Sequence, residues 1–133
     1  MLREEAPFRI LSVDKGYING VRHKYRGDAG YDMVLKSDAE IPPGDFAVLA
    51  TRTYVKNVDA MVMARTSSLS SYGLIIVPTL VDKNYEGYLH IHLFNPSRRT
   101  AKITPEDYIA QIVPFERARP DIFPVNTEVK TRS

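Results

Sequence analysis

The sequence predicts an all-β fold, a sandwich or closed barrel in one domain. Three observations point there. No segment carries a 3.6-residue apolar period over a useful length. Short apolar or alternating runs recur at near-regular spacing between turn signals. The nine prolines fit strand edges and turns better than helix interiors.

The predicted strands are Phe8–Val13, Tyr31–Leu35, Phe46–Ala50, Met61–Ala64, Leu74–Val77, Tyr88–Phe94, Thr100–Ile103 and Ile109–Phe115. Ile41-Pro42-Pro43-Gly44-Asp45 is a turn, because proline presets one dihedral and glycine permits another. Thr104-Pro105-Glu106-Asp107 is a second turn. In Tyr88–Phe94, Leu89, Ile91 and Leu93 share one face, and Tyr88, His90, His92 and Phe94 the other. Both faces look covered. A single short helix is predicted over Ser67–Tyr72, with Thr66 or Ser67 able to cap its start.

A chain of 133 residues is enough for one domain with a real core, and no linker divides residues 1–133. The 44% apolar and 26% charged fractions are ordinary for a soluble protein. A net charge of +2, with the basic residues scattered, gives no field for nucleic acid. The absence of cysteine removes disulfides and thiol catalysis. No apolar run approaches the length of a membrane span, and no signal-peptide core opens the chain. The expectation is a cytoplasmic protein.

The most informative run is Val81-Asp82-Lys83-Asn84-Tyr85-Glu86-Gly87. It reads first as a hairpin or turn between apolar runs. It sets a carboxylate at the mouth of the turn and a ring three residues on. Arg65-Thr66-Ser67-Ser68 precedes it and Ile109-Ala110-Gln111 follows. Arginine brings a planar fork of donors, and hydroxyls and backbone amides add short bonds to an anion. A helix starting there would aim free amides at a phosphate. A carboxylate, an Arg/Ser cluster and a ring able to cover a sugar together suggest nucleotide chemistry. Taken singly, Asp82 is a turn cap, Arg65 a solvent-facing base in a Ser-rich loop, and Tyr85 a packed aromatic. Asp32 is either a structural carboxylate after Gly30 or a group near a loosely held magnesium ion. Gln111 is either a strand-edge amide or a partner of the same ion. His90 and His92 lack a third ligand at a recognisable spacing, so a strand face is favoured over a metal pair.

Four segments in order resemble the motifs of the trimeric dUTPase family, whose wider superfamily includes the dCTP deaminases. They are Ala29-Gly30-Tyr31-Asp32-Met33, Ala64-Arg65-Thr66-Ser67-Ser68-Leu69, Val81 to Gly87, and Tyr108-Ile109-Ala110-Gln111. The likeness runs through nearly the whole chain, including the Pro43-Gly44-Asp45 turn. Three departures stand out. The fifth motif of the family, a glycine-rich arm with a Phe, does not occur before Ser133. Either that arm lies beyond Ser133 or the protein works without it. Glu106 and Tyr108 occupy places where the family usually has Gly and Arg. Pro78-Thr79 stands where Gly or Asn is common.

The resemblance implies a jelly-roll-like β-barrel of the dUTPase β-clip kind, assembled as a homotrimer with active sites between subunits. It implies hydrolysis of dUTP to dUMP and pyrophosphate with Mg2+, water being positioned by Asp82. Arg65, Thr66, Ser67, Ser68 and Gln111 would hold the triphosphate, and Asp32 would reach the metal through water. Tyr85 would pack on the deoxyribose. Leu74–Val81, with Thr79 and Leu80, would be the hairpin that holds the base. Two other readings remain. A dCTP deaminase or bifunctional enzyme would use a glutamate on the strand after the third motif, where His92 stands here. A non-catalytic nucleotide-binding or regulatory protein would not need Asp82, Arg65, Tyr85 and Gln111 together.

Overall fold

Among the described residues the strands form three antiparallel sheets, and the chain changes sheet at almost every turn. The computed structural model describes residues 16–22, 27–118, 121 and 123. The predicted strand Phe8–Val13 lies outside these residues. The strands are β1 (Tyr17–Asn19), β2 (Val21–Arg22), β3 (Tyr31–Met33), β4 (Ala39–Ile41), β5 (Phe46–Lys56), β6 (Ala60–Ala64), β7 (Ile75–Ile76), β8 (Thr79–Val81), β9 (Glu86–Phe94), β10 (Ala101–Ile103) and β11 (Ala110–Pro114). Helix α1 spans Thr66–Tyr72, and Pro105–Asp107 makes one 3-10 turn. The sheet orders are β1-β5-β9-β7, β2-β3-β11-β6-β8 and β10-β4.

One apolar cluster draws on all three sheets. Ile18, Val55, Ile91 and Leu93 come from the first, Val21, Met33, Val62 and Ile112 from the second, and Ile41 and Ile103 from the third. Period-2 alternation supplies these side chains, since each strand points every other residue inward. Strand β9 shows the outcome best. Leu89, Ile91 and Leu93 are buried, while Tyr88 is 59% exposed and His90 and His92 are also exposed. The expectation that both faces are covered is therefore corrected. The described residues of this chain cover one face only. Phe46 and Phe94 meet on the open face, with ring centroids 4.8 Å apart.

Strand β5 runs well past the predicted Phe46–Ala50 because it kinks instead of ending. Its register against β9 shifts between Ala50 and Tyr54. The Thr51 hydroxyl fills the gap in the ladder, donating to the Leu89 carbonyl at 2.7 Å and accepting from the Thr53 amide at 3.1 Å. Leu35 bridges to Thr51 at this kink, which ties the end of β3 to the other sheet. Asn95 fastens the far end of β9. Its amide nitrogen donates to Ile41 and Arg99 carbonyls, and its oxygen accepts from the Ser97 amide and hydroxyl. All four hydrogen-bonding positions of this buried side chain are thus used.

Two local expectations change. Leu74–Val81 is not a hairpin. Strand β7 pairs with β9 and β8 with β6, so the segment crosses between sheets at Val77 and Pro78. Pro78 needs no ladder partner there, which suits its missing N–H. The helix start is not capped by Thr66 or Ser67. Arg65 is the N-cap residue, and its amide donates to the Ser68 hydroxyl at 2.9 Å. Gly73 closes the helix in the left-handed region (φ 68), donating to the Leu69 carbonyl. Among the described residues, no helix is long and apolar enough to cross a membrane.

Candidate active site

The motif residues gather in two separate places. The first is a cavity of about 310 Å³ lined by Asp28, Gly30, Asp32, Arg65, Thr66 and Gln111. Its floor is the pairing of β3 with β11, which sets Gln111 opposite Asp32. The Gln111 carboxamide donates to the Ala64 carbonyl at 2.9 Å and lies over Gly30. Any side chain at residue 30 would run into it.

Asp32 is the electrostatic centre of this cavity. It is 8% exposed and takes two guanidinium groups. Arg22 donates to one carboxylate oxygen through Nε at 3.0 Å and Nη2 at 2.6 Å. Arg65 Nε stands 3.1 Å from the other oxygen. Arg65 Nη1 also donates to the Tyr108 carbonyl at 2.8 Å, which fixes the plane of the fork. Arg22 in turn lies 3.5 Å from the centre of the Tyr108 ring. Tyr108 holds a left-handed backbone (φ 46) to reach this place.

Of the predicted phosphate-binding hydroxyls, Thr66 lines the cavity and Ser67 is half-buried. Ser68 is 1% exposed, and its hydroxyl donates to the Ile109 carbonyl at 2.6 Å while accepting from the Arg65 amide. Its hydroxyl welds the second motif to the fourth.

The second place is an open groove of about 460 Å³ that holds Thr79, Leu80, Asp82, Tyr85, His90 and His92 among its walls. The Tyr85 amide donates to the Asp82 carbonyl at 2.9 Å, closing the predicted turn. β8 and β9 leave this turn into different sheets, so it is not a hairpin. The Tyr85 hydroxyl donates to the Tyr88 carbonyl at 2.6 Å. A side chain at residue 87 would strike that hydroxyl, and φ there is 153, so glycine is required. Asp82 itself is largely exposed.

One chain keeps the two places apart. Val81 pairs with Ala60 at one end of β6, and Arg65 follows Ala64 at the other. The five residue steps from Ala60 to Arg65 span about 17 Å at the ordinary rise of a strand.

A family model described as dUTPase matches residues 17–132. The chain belongs to the dUTPase family. It is 34% identical over 98 residues to the deoxyuridine 5'-triphosphate nucleotidohydrolase of Thermobifida fusca, covering 69% of this chain and 55% of that one. It is 38% identical over 85 residues to a dCTP deaminase of Pyrobaculum aerophilum, covering 62% of this chain and 45% of that one. The chain spans about half the length of these curated relatives. A point variant of the dUTPase from phage phi11 of S. aureus, described with a structural Mg(II) ion, matches with TM-score 0.72 at 20% identity, over 83% of this chain and 95% of that one. That likeness bears out the jelly-roll-like β-fold.

Within this dUTPase-family frame, sequence reasoning missed three groups. Arg22 and Tyr108 complete the surroundings of Asp32 and Arg65. Asp59, 2% exposed, sits beneath the Asp82 turn. It accepts from the Lys83 amide at 3.1 Å and from Arg117 through Nη2 at 2.7 Å and Nε at 3.2 Å. Hydrogen bonding to Arg117, aided by the Lys83 amide, holds the Asp59 carboxyl below its usual range against the opposing pull of desolvation. The one signal for Asp59 was a carboxylate between apolar Val58 and Ala60. Arg22 had none.

Proposed function

We propose that the protein hydrolyses dUTP to dUMP and pyrophosphate, with each active site shared between copies of the chain in a homotrimer. The observation that carries this reading is the division of the motif residues between two cavities. Attack on a phosphoryl group needs the water-orienting base and the phosphate donors around one substrate. Asp82 and Arg65 lie too far apart within one chain to meet there, so a second copy must bring them together. The open face of the β5–β9 sheet, with Phe46 76% and Val48 60% exposed, supports association.

In this reading Asp82 orients a water and takes its proton as the oxygen bonds to the α-phosphorus. The bond from that phosphorus to the bridging oxygen breaks, and pyrophosphate leaves. Arg65, fixed by Asp32 and Tyr108, meets the negative charge of the phosphates with its remaining donors, and Thr66 adds a hydroxyl. Tyr85, 44% exposed over the groove, packs on the deoxyribose. Thr79 and Leu80 present backbone groups to the base from the crossing between sheets. The acidic side chains of the phosphate cavity are Asp28 and Asp32. Among the described residues, no cluster of three or more His, Cys, Asp or Glu could hold a metal alone. This sparse set fits a magnesium ion that arrives with the triphosphate and keeps its waters. Asp32 would touch those waters with the lone pairs its arginines leave. Bound there, magnesium supplies charge neutralisation to the phosphates. Removal of dUTP from the DNA precursor pool makes the cytoplasm the expected setting.

A second reading is deamination of dCTP, favoured by the likeness to dCTP deaminases. His92 lines the same groove as Asp82, where that chemistry calls for a glutamate. The deciding experiment is product analysis with magnesium and dUTP or dCTP separately. Release of dUMP and pyrophosphate from dUTP alone is expected. A uracil product from dCTP would replace the leading reading with the second.

A further inference from the structure

The groove residue assigned above as the water-orienting base stands on a turn, and turns move. Something must hold this one. Asp59 and Arg117 are placed to do so, and they lie 58 residues apart in the chain. Asp59 is the last residue before β6, directly beneath the Asp82 turn. One of its oxygens accepts both the Lys83 amide and an Arg117 nitrogen, and the other accepts Arg117 Nε. Its carbonyl accepts the Phe115 amide at 3.0 Å. A single buried residue therefore joins the turn to the segment that leaves β11. Arg117 Nη2 also stands 3.8 Å from Asp82 Oδ1.

We propose that Asp59 and Arg117 form a clamp that positions Asp82 for catalysis. Arg117 is a positioning residue, acting from both sides of the turn. From below, its bidentate hold keeps Asp59 aimed at the Lys83 amide, next to Asp82. From the side, its guanidinium limits where the Asp82 carboxylate can swing. The Arg117–Asp82 contact is between exposed groups and contributes little to stability. Its value is directional. The Arg117–Asp59 contact anchors the guanidinium, since the carboxylate side chain is 1% exposed. Displacing a reacting group by about 1 Å can cost about 100-fold in rate. A clamp of this kind acts chiefly on kcat through Asp82 and leaves the hold on the phosphates alone, because the phosphate donors lie at the other end of β6; Tyr85, on the same turn, carries the smaller change in KM.

This inference rests on the assignment of Asp82 as the base, so the test separates the two. Steady-state kinetics on dUTP and amide exchange at Lys83 would be measured for the full chain and for Arg117→Ala, Arg117→Lys, and Asp59→Asn combined with Arg117→Gln. The double variant keeps a neutral hydrogen-bonded pair, which guards against misfolding from a buried unpaired carboxylate. Arg117→Ala should lower kcat roughly 10- to 100-fold with a much smaller rise in KM, and should speed Lys83 exchange. Arg117→Lys should recover part of kcat, and the folded double variant should lose more than Arg117→Lys. Unchanged kcat in both Arg117→Ala and the double variant, with an active parent, overturns the clamp. A parent that stays inert with a glycine-rich arm added back overturns the hydrolase reading instead. The clamp is then judged on Lys83 exchange alone, where acceleration supports it and no change overturns it.

Discussion

Gly30 and Gln111 compete for one volume: the Gln111 carboxamide lies where any side chain on residue 30 would go. Glycine in the first motif leaves room for the glutamine of the fourth, and a side chain there would force that carboxamide to shift. The two are 81 positions apart in sequence and adjacent across the β3–β11 pair, where Gln111 sits opposite Asp32.

Gly30→Ala should push the Gln111 amide off the Ala64 carbonyl and into the phosphate cavity. The expected cost is about 1–3 kcal/mol of stability from overpacking, read by urea denaturation. KM for the triphosphate should rise as well. A variant with unchanged stability and KM would show that Gln111 moves freely.

Asp82 is largely exposed, and the turn around it closes through backbone groups and Asp59. Asp82→Asn should therefore leave the melting temperature within a few degrees. Loss of the general base should lower kcat roughly 100- to 10,000-fold. Product analysis and thermal unfolding on the same preparation check this. Near-normal turnover would remove Asp82 from the mechanism.

The Tyr85 ring is tied down by its hydroxyl at the Tyr88 carbonyl. Tyr85→Ala should reduce the preference for dUTP over UTP, because the ring no longer excludes a 2′-hydroxyl. Tyr85→Phe should keep most of that preference while loosening the turn. Competition assays with the two nucleotides would decide, and a preference for dUTP in the alanine variant as strong as the parent's would refute the role.

Asp59 bears on acid stability. Its carboxyl is held below the usual range when folded, chiefly by the Arg117 hydrogen bond. The stabilisation is then fully present above the unfolded carboxyl value of about 4, and is lost as pH falls through the lowered folded value. Asp59→Asn should remove that part of the acid loss. Melting temperatures from about pH 6 down to pH 2 should fall less steeply in the variant than in the parent. Parallel curves would show that Asp59 does not contribute.

The site was legible in part because its chemistry sits on short local patterns. Asp82, Tyr85 and Gly87 share one turn, and Arg65 through Ser68 share one helix start. Ser68 shows where such reading stops. A hydroxyl beside Arg65 looks like a phosphate donor, yet burial against Ile109 gives it to the fold.

Local sequence was enough for the strand character of the chain, its turns, the short helix before Gly73, and the residue types available for phosphate chemistry. Period-2 alternation and the dihedral limits of Pro and Gly act over a few residues, so they can be read locally. Tertiary structure decided which sheet each strand joined, which split Leu74–Val81 between two sheets instead of closing it as a hairpin. It also decided the charge partners: Arg22 with Asp32, and Arg117 with Asp59. No local pattern specifies those pairs, because a buried carboxylate is satisfied by whichever cation the packed core brings within reach.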